Sequence, residues 1–144
     1  MSMTLKDIND KLRKIDICMM TTQTGRGALE SRPMSNNKDV DFDGDCYFFT
    51  DGDSTAAKQI ASHPQVNLGF SSSGGLFGGG GTFISLTGPA SLSTDKATMK
   101  KHWNKDIEVW FKDGIETPGL TLIHVKASRL KYWQNGDEGE IKLN

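Results

Sequence analysis

Hydrophobic and polar residues alternate over several short stretches of the chain, a pattern typical of β-strands that bury one face. Elsewhere apolar residues recur three and four positions apart, as they do on an amphipathic helix. The alternation predicts strands at residues 15–22, 28–36, 46–50, 65–70, 82–93 and 120–133. The helical spacing predicts helices at residues 4–14, 54–60 and 94–103, with a further helical turn at residues 106–111.

Residues at the ends of these stretches support the assignment. Thr4 and Ser54 each stand where a helix begins, and their hydroxyls can accept a hydrogen bond from a free backbone N–H. Pro64 ends the second helix. Pro33 lies inside a predicted strand and cannot donate to a ladder, so this strand is expected at a sheet edge or at a bulge.

The order of the elements indicates the fold class. Six strands separated by short helices favour a mainly β fold, an antiparallel barrel with helices packed on it, over parallel βαβ units. The chain has 144 residues, close to the commonest size of one domain. We therefore predict a single domain over residues 1–144.

Composition excludes several partners. The net charge is −1, so no general attraction to nucleic acid or to an anionic membrane is expected. No apolar run approaches the roughly 20 residues that cross a bilayer, and the charged N-terminus does not resemble a signal peptide. A cytoplasmic protein is expected, with Cys18 and Cys46 as buried reduced thiols. The three histidines are scattered, which argues against a metal site.

A glycine-rich segment spans residues 70–83, "FSSSGGLFGGGGTF". A phosphate-binding Walker loop would need a lysine after its last glycine, and no basic residue occurs from Phe70 to Pro89. A dinucleotide-binding turn would be followed by a helix, whereas a strand pattern follows here. We therefore predict that residues 74–81 form the loop of a β-hairpin.

A binding site is better supported in two other segments, "ESRPMS" (residues 30–35) and "YFFTDGDS" (residues 47–54), than in the glycine-rich segment. Arg32 can present its planar fork to a phosphate, while Thr50 and Ser54 place hydroxyls at a helix start that suits an anion. The alternative is that Arg32 pairs with Glu30 or Asp43 at the surface while Thr50 and Ser54 are plain caps. The residues alone leave both interpretations open.

A family resemblance extends over residues 17–133. The matching segments occur in order at 31–34 ("SRPM"), 41–54 ("DFDGDCYFFTDGDS"), 63–70 ("HPQVNLGF"), 83–92 ("FISLTGPASL"), 102–105 ("HWNK"), 109–114 ("VWFKDG") and 120–133 ("LTLIHVKASRLKYW"). In these segments the chain resembles the general stress protein 26 group of the pyridoxamine 5'-phosphate oxidase-like FMN-binding split barrels. The resemblance implies a six-stranded antiparallel split β-barrel with short flanking helices, a homodimer, and FMN in a groove between the subunits.

The resemblance also implies roles for single residues. Arg32 would hold the FMN phosphate, with Ser54 near it. The backbone around Pro33 and Met34 would face the isoalloxazine ring. Phe49 and Thr50 would line the ring and the ribityl chain.

Two more positions are implied as flavin contacts, and one departs from the family pattern. Phe83 would stack on the flavin or form a wall of the site. Trp133 would either belong to the core or the dimer interface, as tryptophans most often do, or reach the flavin from the neighbouring subunit. Relatives often carry a lysine two positions after the serine, where this chain has Ala56. Lys58 follows two residues later, and two residues turn a side chain by about 200° around a helix. Lys58 is therefore a poor substitute for the missing lysine and the weakest of the predicted cofactor contacts.

These observations lead to one hypothesis and its alternatives. The first is an FMN-binding flavoprotein, an oxidoreductase whose redox chemistry belongs to the cofactor and whose small-molecule substrate the sequence does not identify. Oxidation of pyridoxamine 5'-phosphate itself is disfavoured, because the C-terminal "NGDEGEIKLN" is acidic. The alternatives are a non-enzymatic stress-response protein that sequesters flavin or another planar ligand such as haem, and a structural dimer without a ligand.

Overall fold

The computed structural model of the chain describes residues 2–36, 42–72 and 81–143. Its strands are β1 Ile17–Gln23, β2 Leu29–Ser35, β3 Asp45–Asp51, β4 Gln65–Ser72, β5 Thr82–Ser93, β6 Leu120–Lys126, β7 Arg129–Gln134 and β8 Asp137–Lys142. Its helices are α1 Leu5–Leu12, α2 Thr55–Ser62 and α3 Lys96–His102, followed by short 3-10 helices at Lys105–Val109 and Gly114–Glu116.

The strands form one curled antiparallel sheet that does not close on itself. Its order is β2-β1-β4-β5-β6-β3, and the hairpin of β7 and β8 joins it through β5. The mainly β split-barrel fold predicted from the sequence is confirmed. β2 and β3 are the two ends of the strand order, which confirms that the strand containing Pro33 lies at a sheet edge.

The predicted strand at residues 120–133 is wrong as a single element. The chain turns a corner at Ala127 and Ser128, so that β6 and β7 pair with different halves of β5. At the corner the N–H of Ala127 donates to the Gly44 carbonyl (2.7 Å) and that of Ser128 to the Thr87 carbonyl (2.9 Å). These bonds lead out of the strand direction. The hydrophobic alternation shifts by one residue here, with Val125 and Ala127 buried before the corner and Leu130 and Tyr132 after it. The prediction of one continuous strand did not use this shift.

Eight strands are present among the described residues, against six predicted, because β6 and β7 are separate and the prediction missed β8. This strand is mostly exposed and carries few apolar residues, so it shows little alternation. Asn135 and Gly136, both with positive φ (51° and 84°), form the tight turn that leads into it from β7. An Asn-Gly pair is a strong hairpin signal, and it was available in the sequence.

The core lies inside the curl of the sheet. Its fully buried side chains include Met20, Leu68, Leu86, Ile123 and Leu130. The three helices begin as their residues predict, because the side chains of the residues before them accept backbone N–H groups of the first turn. α2 packs against β1, β3 and β5, and this position brings its side chains to the open side of the barrel.

The glycine-rich segment connects two paired strands, as predicted. β4 and β5 are antiparallel neighbours whose register runs to Ser72 opposite Thr82. Most of the connecting loop, residues 73–80, lies outside the described residues. No helix in the described part of the chain is both long and apolar enough to span a bilayer.

Candidate functional site

A groove of about 390 Å³ follows the gap between the two edge strands of the sheet. The end of β2 and the residue after it form one wall, and β3 forms the other. The 3-10 helix Lys105–Val109 and the two residues that follow it complete the groove. Its lining residues are Ile17, Pro33, Met34, Ser35, Asn36, Tyr47, Phe48, Phe49, Thr50, Asp51, Asn104, Asp106, Ile107, Trp110 and Phe111.

The groove is apolar in its walls but carries polar backbone. Among the described residues, β2 and β3 each pair with a neighbour on one side only, so the other edge of each strand keeps free N–H and C=O groups. Phe49 is fixed edge-on against Trp103, with ring centroids 4.9 Å apart. Trp110 is 65% exposed beside the groove. A flat apolar ligand with polar atoms at its rim suits such walls.

The beginning of α2 lies next to the groove. Thr50, which lines the groove, donates its hydroxyl to Ser54 Oγ (2.9 Å), and the same oxygen accepts the N–H of Ala57 (3.1 Å). Ser54 is therefore the N-cap of α2, which is the simpler of its two sequence interpretations. Its hydrogen bond to Thr50, which lines the groove, nevertheless places it near the end of the groove.

Arg32 is held by neutral groups. Its Nη1 donates to Thr22 Oγ1 (2.6 Å) and to the Met20 carbonyl (3.3 Å), and its Nη2 donates to Gln59 Oε1 (3.1 Å). None of the ion pairs between described residues involves Arg32. The predicted alternative, a surface pair with Glu30 or Asp43, is not formed. Glu30 instead accepts from Gln59 Nε2 (2.8 Å).

A half-buried guanidinium without a carboxylate partner suits an anion. The three bonds of Arg32 use both Nη1 donors and one Nη2 donor of the five that a guanidinium offers. The Nε–H and the second Nη2–H have no partner among the described residues. These two groups form one edge of the planar fork, the geometry that binds a phosphate or carboxylate through two parallel hydrogen bonds.

The structure brings together some of the nine residues predicted for the site and separates others. Four of them line the groove: Pro33, Met34, Phe49 and Thr50. Arg32 and Ser54 belong to the unit around α2, next to the groove-lining residues of β2 and β3. Lys58 is exposed on α2, and no contact connects it to the groove. Phe83 and Trp133 lie elsewhere.

Phe83 and Trp133 are paired neighbours on β5 and β7 and line a separate depression. Phe83 is 50% exposed. The indole Nε1–H of Trp133 donates to Glu138 Oε2 (2.7 Å). Within one chain these two aromatic side chains do not reach the groove.

Several residues of the site were not predicted from the sequence. Thr22 and Gln59 hold Arg32, and Tyr47 and Trp110 line the groove. Trp110 had a usable signal, because a tryptophan in a polar turn segment is out of place unless it is covered or contacts a ligand. Gln59 had none, since its role depends on the packing of α2 over a strand distant in sequence.

A ring stack adjoins the groove at Tyr47. His102 stacks on one side of the phenol (3.5 Å between centroids) and His124 on the other (4.7 Å), and His124 Nε2 lies 2.7 Å from Asp45 Oδ1. Burial, the neighbouring His124 and Lys101 lower the pKa of His102. In the described ranges, no group of three or more His, Cys, Asp or Glu residues is arranged to hold a metal ion.

Comparison with known proteins identifies the family. The family model "Pyridoxamine 5'-phosphate oxidase like" matches residues 4–143. Protein bli-3 of Neurospora crassa is 28% identical over 137 residues, which cover 89% of this chain. The chain spans 63% of the length of that relative.

Solved structures agree with this assignment. A Clostridium acetobutylicum protein related to general stress protein 26 of B. subtilis superposes with a TM-score of 0.82 at 17% identity, covering 96% of this chain and 94% of that one. The general stress FMN/FAD binding protein of Xanthomonas citri superposes with a TM-score of 0.75 at 25% identity, covering 92% and 89%. The chain belongs to the pyridoxamine 5'-phosphate oxidase-like family.

Proposed function

We propose that the protein is a cytoplasmic flavoprotein that binds FMN in the groove between β2 and β3. The observation that carries this proposal is Arg32, a half-buried cation held by neutral acceptors, with one edge of its guanidinium free of any partner in residues 2–36, 42–72 and 81–143. Such a cation, next to a groove for a flat apolar body, suits a ligand that joins a planar ring system to a phosphate. The similar Xanthomonas citri structure, described as a general stress FMN/FAD binding protein, supports the choice of ligand.

The groove fits the ring portion of such a ligand. Pro33 and Met34 on one wall and Phe49 on the other present apolar surface. The free edges of β2 and β3 offer backbone donors and acceptors to the polar rim of an isoalloxazine. Haem fits less well, because no histidine or cysteine occurs among the lining residues in the described part of the chain. An axial ligand would have to come from Met34 or Tyr47.

The proposal includes a homodimer with one site at each side of the interface. The outer face of the sheet carries exposed Ile17 (45%), Met19 (44%) and Phe83 (50%), an unusual set for a face left in water. Pro33 lies opposite Met19 on β2. Ile17 and Pro33 also line the groove, so this apolar face is continuous with the candidate site.

The dimer would also explain the two aromatic residues that lie away from the groove. Phe83 occupies the same outer face, and Trp133 is its partner on β7. A second subunit seated on this face would bring its own Phe83 and Trp133 towards the groove. All of the nine predicted residues except Lys58 would then form one site across two chains.

We propose an oxidoreductase activity for this site. When bound, the flavin supplies hydride or electron transfer, so a catalytic acid–base pair in the protein is not required. The residues of the chain would bind the ligand, orient its ring and keep water from one of its faces. The charged residues that line the groove, Asp51 and Asp106, are both acidic. Anionic substrates are therefore disfavoured, and pyridoxamine 5'-phosphate is among them.

The test is FMN titration of wild type and of Arg32→Met, followed by quenching of flavin fluorescence. Two charge-assisted hydrogen bonds are lost in the variant, so we expect about 100-fold weaker FMN binding. Arg26→Met is the matched control, because Arg26 is exposed in the turn between β1 and β2. Equal FMN affinity in Arg32→Met and Arg26→Met would refute the proposed phosphate site.

The dimer has a test of its own. Met19→Glu places a charge in the middle of the apolar face and should give a monomer in light scattering coupled to gel filtration. Ala61→Glu adds the same charge at an exposed position of α2 and should leave the dimer intact. A wild-type protein that is monomeric at high concentration would contradict the two-chain site.

A non-enzymatic role in sequestering flavin is the second candidate. Ala56 favours it, because this position of α2 is buried and brings no second cation to the phosphate. Reduction of bound flavin by NADH or NADPH separates the two functions. If the protein is an enzyme that uses these donors, NADH or NADPH should reduce the bound FMN faster than free FMN. If the protein is a carrier, the bound FMN should be reduced no faster than free FMN.

A further inference from the structure

Gln59 stands at the centre of the network that holds Arg32. Its Oε1 accepts from Arg32 Nη2 (3.1 Å) and from the hydroxyl of Thr22, and the oxygen of that same hydroxyl accepts from Arg32 Nη1 (2.6 Å). These contacts close a ring of hydrogen bonds on the end of the guanidinium. Thr22 is 1% exposed, so the ring has a rigid base inside the core.

The ring determines which edge of the guanidinium remains available. Because Thr22 and Gln59 are bonded to each other, they occupy the end between Nη1 and Nη2 together. The edge formed by Nε–H and the second Nη2–H is left for an anion. Without Gln59 the guanidinium could rotate about its side-chain torsions, and its fork would no longer be held in one direction.

Glu30 fixes the orientation of the Gln59 amide. Its Oε1 accepts from Gln59 Nε2 (2.8 Å), which turns the amide oxygen towards Arg32. A reversed amide would direct the NH₂ group at the guanidinium and the oxygen at a carboxylate, and both contacts would be repulsive. Glu30 therefore acts on Arg32 through Gln59 and does not neutralise it by direct pairing.

We infer that Gln59 is a positioning residue that makes the site select a phosphorylated flavin over the same flavin without phosphate. The inference rests on the proposed FMN site. Gln59 contributes no charge to the phosphate. It supports Arg32 in the orientation in which two parallel N–H groups meet the anion, while leaving the positive charge uncompensated.

The test compares the dissociation constants of FMN and riboflavin, which differ by the phosphate. The ratio of the two constants measures phosphate selection, whereas the riboflavin constant alone measures the state of the groove. We expect Arg32→Met to bring the ratio close to one. Gln59→Leu should lower the ratio about tenfold and leave riboflavin binding unchanged. Gln65→Leu, the same change at an exposed position of β4, should leave both constants unchanged.

A second variant keeps the test valid if Gln59→Leu folds poorly. Gln59→Glu has nearly the same shape and places a carboxylate against Arg32, where it pairs with the guanidinium and cancels its charge. The ratio for Gln59→Glu should fall to that of Arg32→Met.

The outcomes distinguish this inference from the proposed function. If Arg32→Met keeps the ratio of wild type, the proposed phosphate site itself is wrong. If Arg32→Met lowers the ratio but Gln59→Leu and Gln59→Glu do not, the site stands and the role of Gln59 is refuted. Equal weakening of FMN and riboflavin by both Gln59 variants would show a purely structural role and would also overturn the inference.

Discussion

Gly88 marks the place where β5 passes closest to the corner between β6 and β7. A Cβ atom at this position would lie 2.2 Å from the Lys126 carbonyl oxygen and 2.9 Å from Ala127 Cα. Both atoms belong to the backbone, so no side chain can rotate away to make room. We predict that Gly88→Ala destabilises the protein although it adds a single methyl group.

The structure gives the size of the effect. Real Cβ contacts essentially never fall below 3.0 Å, so the two backbones would have to separate by about 0.8 Å. The neighbouring bond from the Ser128 N–H to the Thr87 carbonyl, now 2.9 Å, would then stretch to about 3.7 Å and be lost. Overpacking costs about 1–3 kcal/mol and the lost hydrogen bond about 1 kcal/mol, so we expect a loss of about 3 kcal/mol.

Urea unfolding followed by tryptophan fluorescence measures this loss, and thermal unfolding should show Tm lowered by about 10 °C. Gly25→Ala is the control, because its added Cβ would meet no atom within 4 Å and its φ is not in the left-handed region. That variant should keep the free energy of unfolding of wild type or raise it slightly. A loss below about 0.5 kcal/mol in Gly88→Ala would refute the close approach at this corner.

Two further predictions concern titrating groups. The fold lowers the pKa of His102, so the unfolded chain takes up a proton at this residue more readily than the folded chain does. The free energy of unfolding should therefore decrease as the pH falls below about 6.5. His102→Phe, which keeps a ring on Tyr47, should flatten the dependence of urea midpoints on pH between about 5 and 7; an unchanged slope would contradict the assignment. Burial raises the pKa of Cys18 to about 12 and that of Cys46 further. Cys18 is buried, as predicted, whereas Cys46 is only half-buried. Both thiols should still react with Ellman's reagent only on unfolding, and rapid labelling of the native protein would contradict the raised pKa values.

Local signals in the sequence predicted much of the fold. Thr4 and Ser54 begin helices as expected of N-caps, and Pro33 lies on an edge strand as its missing donor requires. These features depend on neighbours in the chain, and the sequence shows them directly. Pro33 and Met34 were expected at the site because of the family resemblance, and both line the groove.

Features that depend on contacts distant in sequence were not accessible. The corner at Ala127 arises from hydrogen bonds to Gly44 and Thr87. Its only sign in the sequence is a one-residue shift in the hydrophobic alternation after Ala127, which does not identify these partners. Gln59 lies 27 positions from Arg32, and nothing in the segment "STAAKQI" indicates that its amide will hold a guanidinium. The separation of Phe83 from the groove was equally hidden, because a linear motif does not show how far apart the fold places its residues.

The central claim is that this chain binds a phosphorylated flavin in the gap between β2 and β3, and equilibrium dialysis of the purified wild-type protein against FMN tests it most directly. The account predicts saturable retention of one FMN per chain at micromolar concentration, with a bound absorption spectrum shifted from that of free FMN. Retention of no more FMN than a dialysis control without protein, under conditions in which the protein is folded, would contradict it.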